Sequence, residues 1–97
     1  MDLEIVQTCY ASPEQYDIFI TENGERKQIG YLRLRWGHFY AEYPSVGGEM
    51  VFEHQFSDGF KGRFDNDVER KMYMNMALDA LYKKHMERDD EDDWSWS

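Results

Sequence analysis

Apolar and polar positions alternate through the first half of the chain and then switch to a helical spacing. Around Asn23-Gly24 the pattern predicts a β-hairpin, because both residues tolerate the positive φ that a type I′ turn demands. Centring the hairpin there pairs Ile20 with Lys27, Ile18 with Ile29 and Tyr16 with Tyr31 on one face. A second hairpin centres on Ser45-Val46-Gly47-Gly48, just after Pro44. It pairs Tyr43 with Met50, Ala41 with Phe52 and Phe39 with His54, leaving His38, Tyr40 and Glu42 opposite Gln55, Glu53 and Val51 on a mostly polar face. Such one-sided apolarity suits an antiparallel sheet covered on a single side.

Between the hairpins, a tight reversal at Trp36-Gly37 sets Leu34 beside Phe39 and Leu32 beside Ala41. One long bent strand kinked at Gly37 is the alternative. Either way a conflict of parity appears. The first hairpin turns Ile29 and Tyr31 inward, whereas the next segment turns Leu32 and Leu34 inward. A flat strand cannot satisfy both, so a bulge or strong twist is expected near Tyr31-Leu32. Residues 3–10, with Leu3, Ile5, Gln7 and Cys9 in alternation, read as an edge strand.

After a glycine-containing connection over residues 57–66, a helix is expected over 67–88. Asn66 is a suitable N-cap, Glu69 stands three residues later, and Asp67 lies in the first turn. From Met72 to Tyr82 only Asn75 and Asp79 are polar, so apolar surface covers more of the helix than one sheet can bury. Lys83, Lys84, His85 and Arg88 are expected near the helix C-terminus, favourably placed for its dipole. The fold class is therefore α+β: a four- or five-stranded antiparallel sheet with one C-terminal helix packed on one face. Residues 1–88 form the single domain and 89–97 an acidic tail ending in Trp. Leu32, Leu34, Phe39, Ala41, Tyr43, Met50, Phe52, Ala77 and Leu81 are the expected centre of the core.

Length allows one domain and no more, at 97 residues. Twenty acids against eleven Lys and Arg give a net charge of −9 and a pI near 4.6. That balance disfavours direct nucleic-acid binding, which needs an excess of cations. The single cysteine, Cys9, excludes an internal disulfide framework and suits a reducing, cytoplasmic setting. No apolar run has the length of a membrane span, and the first twenty residues lack the pattern of a secretion signal.

Candidate chemistry is sparse. His38, His54 and His85 show no metal-ligand spacing, and neither metal nor cofactor is implied. His54 falls among Met50, Phe52 and Phe56, as a core or rim histidine would. Cys9 has no orienting constellation, and residues 57–62 match no phosphate-cradling loop, so no enzymatic activity is expected. Arg33, Arg35, His38 and Tyr40 share the polar sheet face, a possible stacking platform for single strands, but Glu42 and Glu53 argue for a lattice of opposite charges.

Two features point to a partner. Residues 87–93 hold six acids and one base, over half of the chain's excess charge, and are followed by Trp94-Ser95-Trp96-Ser97. Acids closed by indoles have the character of a docking segment for a pocket rimmed by Lys and Arg. Among Met72, Met74, Met76 and Met86, some must lie outside the core, available to a partner groove or a symmetric dimer. The expected contact set is Asp89, Asp90, Glu91, Asp92, Asp93, Trp94, Trp96, Met72, Met76 and Asp79. Together these predict a protein-binding module that occupies a basic surface, in the manner of small acidic phage-type inhibitors of nucleic-acid-handling or defence enzymes, a likeness of character only. The alternatives are a homodimeric structural or regulatory protein and an acid-tailed single-strand accessory protein.

Overall fold

Five strands follow one another in chain order in a computed structural model that describes residues 2–9 and 13–94, with side chains described for 3–9 and 13–87. They are β1 (Asp2–Cys9), β2 (Glu14–Glu22), β3 (Glu25–Arg35), β4 (His38–Tyr43) and β5 (Glu49–Gln55), followed by α1 (Asp67–Trp94). All neighbouring pairs are antiparallel, giving the order β1-β2-β3-β4-β5. The helix lies against β3, β4 and β5 on one face. This is the α+β architecture that the alternation of apolar positions predicts, with β1 at an edge. Tyr10, expected to close that strand, lies outside the described residues.

The turns form where Asn and Gly permit them. Asn23 and Gly24 have φ of 53° and 79°, and Ile20 pairs with Lys27. Trp36 and Gly37 also take positive φ, at 54° and 74°, and make the tight reversal that sets Leu34 opposite Phe39 and Leu32 opposite Ala41. A Cβ on Gly37 would stand 2.4 Å from the Asp58 carbonyl oxygen, so the connection to the helix closes directly over this turn. The Gly37 N–H donates to the Lys61 carbonyl at 2.8 Å, and the Phe56 N–H to the Gly37 carbonyl at 2.7 Å.

The parity conflict in β3 is resolved earlier than expected. Ile18 pairs with Gly30 rather than Ile29, and Tyr16 with Leu32 rather than Tyr31, because the register shifts between Gln28 and Gly30. The bulge thus sits at Ile29-Gly30, not at Tyr31-Leu32. Gly30 explains the position, since a Cβ there would lie 2.4 Å from Leu81 Cδ1. Only a residue without a side chain lets the helix approach so closely. The extra residue keeps both Ile29 and Leu32 in the core and turns Tyr31 to the outer face, where its ring stands 6.4 Å from that of Tyr40.

A second bulge alters the other hairpin. Ala41 pairs with Phe52 and Phe39 with His54 as expected, but Glu42 pairs with Met50 and Tyr43 with Glu49. Tyr43 therefore does not face Met50, and Glu42 does not face Val51. Val51 is the inserted residue and packs against the core, whereas Met50 is 45% exposed and leaves the predicted core. The turn supplies the reason: after Pro44 it closes through a Gly48 N–H bond to the Ser45 carbonyl at 3.0 Å, which starts β5 at Glu49 opposite Tyr43.

Phe39, Ile18, Ile20, Ile29, Leu32, Leu34 and Leu81 are fully buried. Phe39 presents its ring edge-on to those of Phe52, Phe64 and Tyr73. At the helix start, Asn66 Oδ1 accepts from the Glu69 N–H at 2.8 Å, while Glu69 Oε1 accepts from the Asp65 N–H at 3.0 Å. The helix then runs to Trp94, six residues beyond the expected end at Arg88. No Gly or Pro follows Arg88 to stop it, and Asp and Glu cost a helix only tenths of a kcal/mol each. Lys83, Lys84 and His85 consequently lie about two to three turns inside, and the last turn has no basic residue.

Candidate functional site

Two hydrogen-bonded clusters fasten the helix to the sheet, one at its start and one about His85, nine residues before Trp94. At the helix start, Arg70 bonds Glu14 through Nε at 2.8 Å and Nη2 at 3.2 Å. The same carboxylate accepts from the Tyr16 hydroxyl and from the Phe64 N–H at 2.6 Å. Glu14 is buried, and its own N–H donates to the Gly62 carbonyl at 2.9 Å. Burial pushes its pKa up, but the hydrogen bonds from Arg70, Tyr16 and Phe64 and the Arg70 charge outweigh that and hold it below the ordinary 4.5. This cluster escaped the sequence reading, although one signal was present: Glu14 stands in phase with the inward residues Tyr16, Ile18 and Ile20.

Near the other end, His85 joins three elements. Its Nδ1 meets the Tyr43 hydroxyl at 2.9 Å and its Nε2 meets Glu22 Oε1 at 2.8 Å. Lys27 approaches Glu22 at 3.7 Å, and Lys84 pairs with Glu49 at 3.0 Å. The hydrogen bond from His85 is the main cause holding the Glu22 carboxyl below its usual range. This partly buried Tyr-His-Glu chain engages both ring nitrogens of His85. It holds the helix in place.

Beyond these contacts the helix continues. From His85 to Trp94 the backbone advances about 13 Å at 1.5 Å per residue. The expected contact residues Asp89, Asp90, Glu91, Asp92, Asp93 and Trp94 therefore follow a helical backbone beyond the bonds that His85 and Lys84 make to the sheet; their side chains, and Trp96 altogether, lie outside the described residues. Glu22 and Glu25, flanking the β2–β3 turn, and Glu49, at the start of β5, stand at this same pole. Met72 and Met76 are 53% and 40% exposed and Asp79 is exposed, all on the outward helix face. Met74 faces the core instead. Beside this face runs a groove of about 440 Å³ lined by Leu3, Asn75, Met76, Leu78, Asp79 and Tyr82. The structure thus separates the expected contact set into an acidic pole and a lateral Met-bearing stripe.

At the opposite pole, Trp36 is 61% exposed, and its ring meets that of Phe60 edge-on at 6.4 Å with the Arg35 guanidinium 5.6 Å from the indole. Arg35 pairs with His38 at the end of the sheet, beside the Trp36-Gly37 turn. On the outer face His38 pairs with Glu53 at 2.9 Å, in keeping with a cross-strand charge lattice, and Glu42 accepts from the Gly47 N–H at 3.2 Å. At the rim the His54 ring meets that of Phe56 edge-on at 4.6 Å and that of Tyr73 at a tilt at 4.8 Å. Cys9 is a free thiol. Among the described residues no group of three His, Cys, Asp or Glu is placed to hold a metal ion, and no helix is long and apolar enough to cross a membrane.

Comparison of the chain with protein-family models, curated proteins and solved structures finds no match.

Proposed function

We propose that this protein is an acidic docking module that binds a basic surface on another protein, such as the strand-binding face of a nucleic-acid-handling enzyme. The observation that carries this reading is the continuation of α1 through the acidic run, past the last bonds that His85 and Lys84 make to the sheet. A helical segment holds its charges at a regular spacing, where a free chain would spread them. Regularly spaced carboxylates imitate a phosphate backbone, and their field speeds encounter with a cationic partner. The indoles of Trp94 and Trp96 are assigned as the desolvated anchors that charge alone does not provide. The lone free Cys9 supports a reducing compartment, the cytoplasm, as the proposed location.

The test is capture from cell lysate with the immobilised full chain. Asp89, Asp90, Asp92 and Asp93 are replaced together by Asn in the control. Proteins lost from the control, released by salt and displaced by added duplex DNA support the reading. An unchanged set of captured proteins overturns it.

A further inference from the structure

The outward face of α1 has an order of its own. Val68, Met72, Met76, Asp79, Lys83 and Met86 recur at steps of three and four, the spacing of a helix-packing seam. All six are exposed. Asp79 and Lys83, four residues apart, make no ion pair with each other or with any other described residue. Read backwards about the level of Leu81, the four central residues exchange places: Met76 and Met86 are five residues to either side, and Asp79 and Lys83 two, while Met72 and Val68 fall level with Asp90 and Trp94.

We propose that this stripe binds a second copy of the chain, helix against antiparallel helix, about a two-fold axis passing beside Leu81. That operation sets Met76 against Met86 and Asp79 against Lys83, each contact made twice, as an isologous interface requires. A parallel pairing would oppose Asp79 to Asp79 and Lys83 to Lys83, and like charges in contact disfavour it. The adaptable Met side chains suit such a contact, and the neighbouring groove beside Leu3, Leu78 and Tyr82 leaves room for ridges of the second helix. Helices that cross near Leu81 also send their acidic ends in opposite directions. A dimer is then bivalent, with one acidic pole at each end. The inference rests on the central exchange of Asp79 with Lys83 and Met76 with Met86, not on the charge of the acidic pole.

Sedimentation velocity on the full chain, from micromolar to submillimolar concentration, provides the test. The wild-type chain is expected to reach the dimer mass. Asp79→Lys and Lys83→Asp should each weaken the dimer by about tenfold or more, and the double exchange should restore it. In a Cys9→Ser background, Met76→Cys with Met86→Cys should form an intermolecular disulfide on oxidation, while Met76→Cys alone should not. Asp79, Lys83, Met76 and Met86 are exposed and Cys9 is half-buried, and circular dichroism confirms that each variant keeps its fold. A monomer at every concentration, a double exchange that fails to restore association, or cross-linking by Met76→Cys alone overturns the proposal. The Asp79/Lys83 exchange reads this dimer through its mass and Asp→Asn replacement at the acidic pole reads docking through the captured proteins, so the failure of one reading is distinguishable from the failure of the other.

Discussion

Arg70, in the first turn of α1, grips Glu14, the first residue of β2, with Nε at 2.8 Å and Nη2 at 3.2 Å across 56 positions of sequence. Around this pair the Tyr16 hydroxyl and the Phe64 N–H complete the acceptor capacity of the carboxylate. The connection over residues 57–66 is thus tied to the sheet and the helix at once. Removing one partner of a buried pair leaves the other charge without compensation. Arg70→Ala is expected to lower unfolding free energy by about 3 kcal/mol, read from urea denaturation. Lys71→Ala, one residue away and exposed, should change it by less than about 0.5 kcal/mol.

Acid should find the same residue. In the folded chain Glu14 sits below its ordinary value of 4.5, and Glu22 is lowered as well by its bond from His85. The unfolded carboxyls take up protons at higher pH than the folded ones. Their stabilising contribution is therefore complete above about pH 4.5 and is lost as pH falls through the folded values. The urea midpoint should stay level near neutrality and fall below that point. Glu14→Gln should start lower and fall less steeply. On the alkaline side, burial and the adjoining Glu14 push Tyr16 up to about 12, so stability should decline between its ordinary 10.0 and that value. Absorbance titration of Tyr16→Phe should lack a phenol that ionises at about 12.

Gly30 is the point where the sheet yields to the helix. An added methyl would meet Leu81 Cδ1 at 2.4 Å and Cγ at 3.1 Å, in a core where Leu81 has no exposed surface to retreat into. Gly30→Ala is expected to cost about 1–3 kcal/mol. In a Leu81→Ala background the same change should cost much less, and the difference in thermal or urea unfolding measures the coupling.

The bulge in β5 reverses the usual expectation for two neighbouring apolar residues. Met50→Glu should be tolerated within about 0.5 kcal/mol, because Met50 faces solvent. Val51→Glu should cost well over about 1 kcal/mol, because Val51 packs against the core. Equal effects at both positions would contradict the register Glu42 to Met50.

What the amino-acid order determined by itself was local. Asn23-Gly24 made its turn because both residues accept positive φ, and Asn66 capped the helix because its side chain reaches the Glu69 N–H without help from elsewhere. The parity clash in β3 was legible too, since a period of two leaves no freedom within a flat strand. Tertiary structure alone decided where that clash was relieved: Gly30 was chosen by the approach of Leu81, fifty-one residues later. It also decided that Val51 and not Met50 enters the core, that Glu14 meets Arg70 and that His85 meets Tyr43. Alternation reports which face a residue prefers, through the free energy of burying it. Which partner waits there depends on how the helix crosses the sheet, and that is set by the packing of the whole chain together.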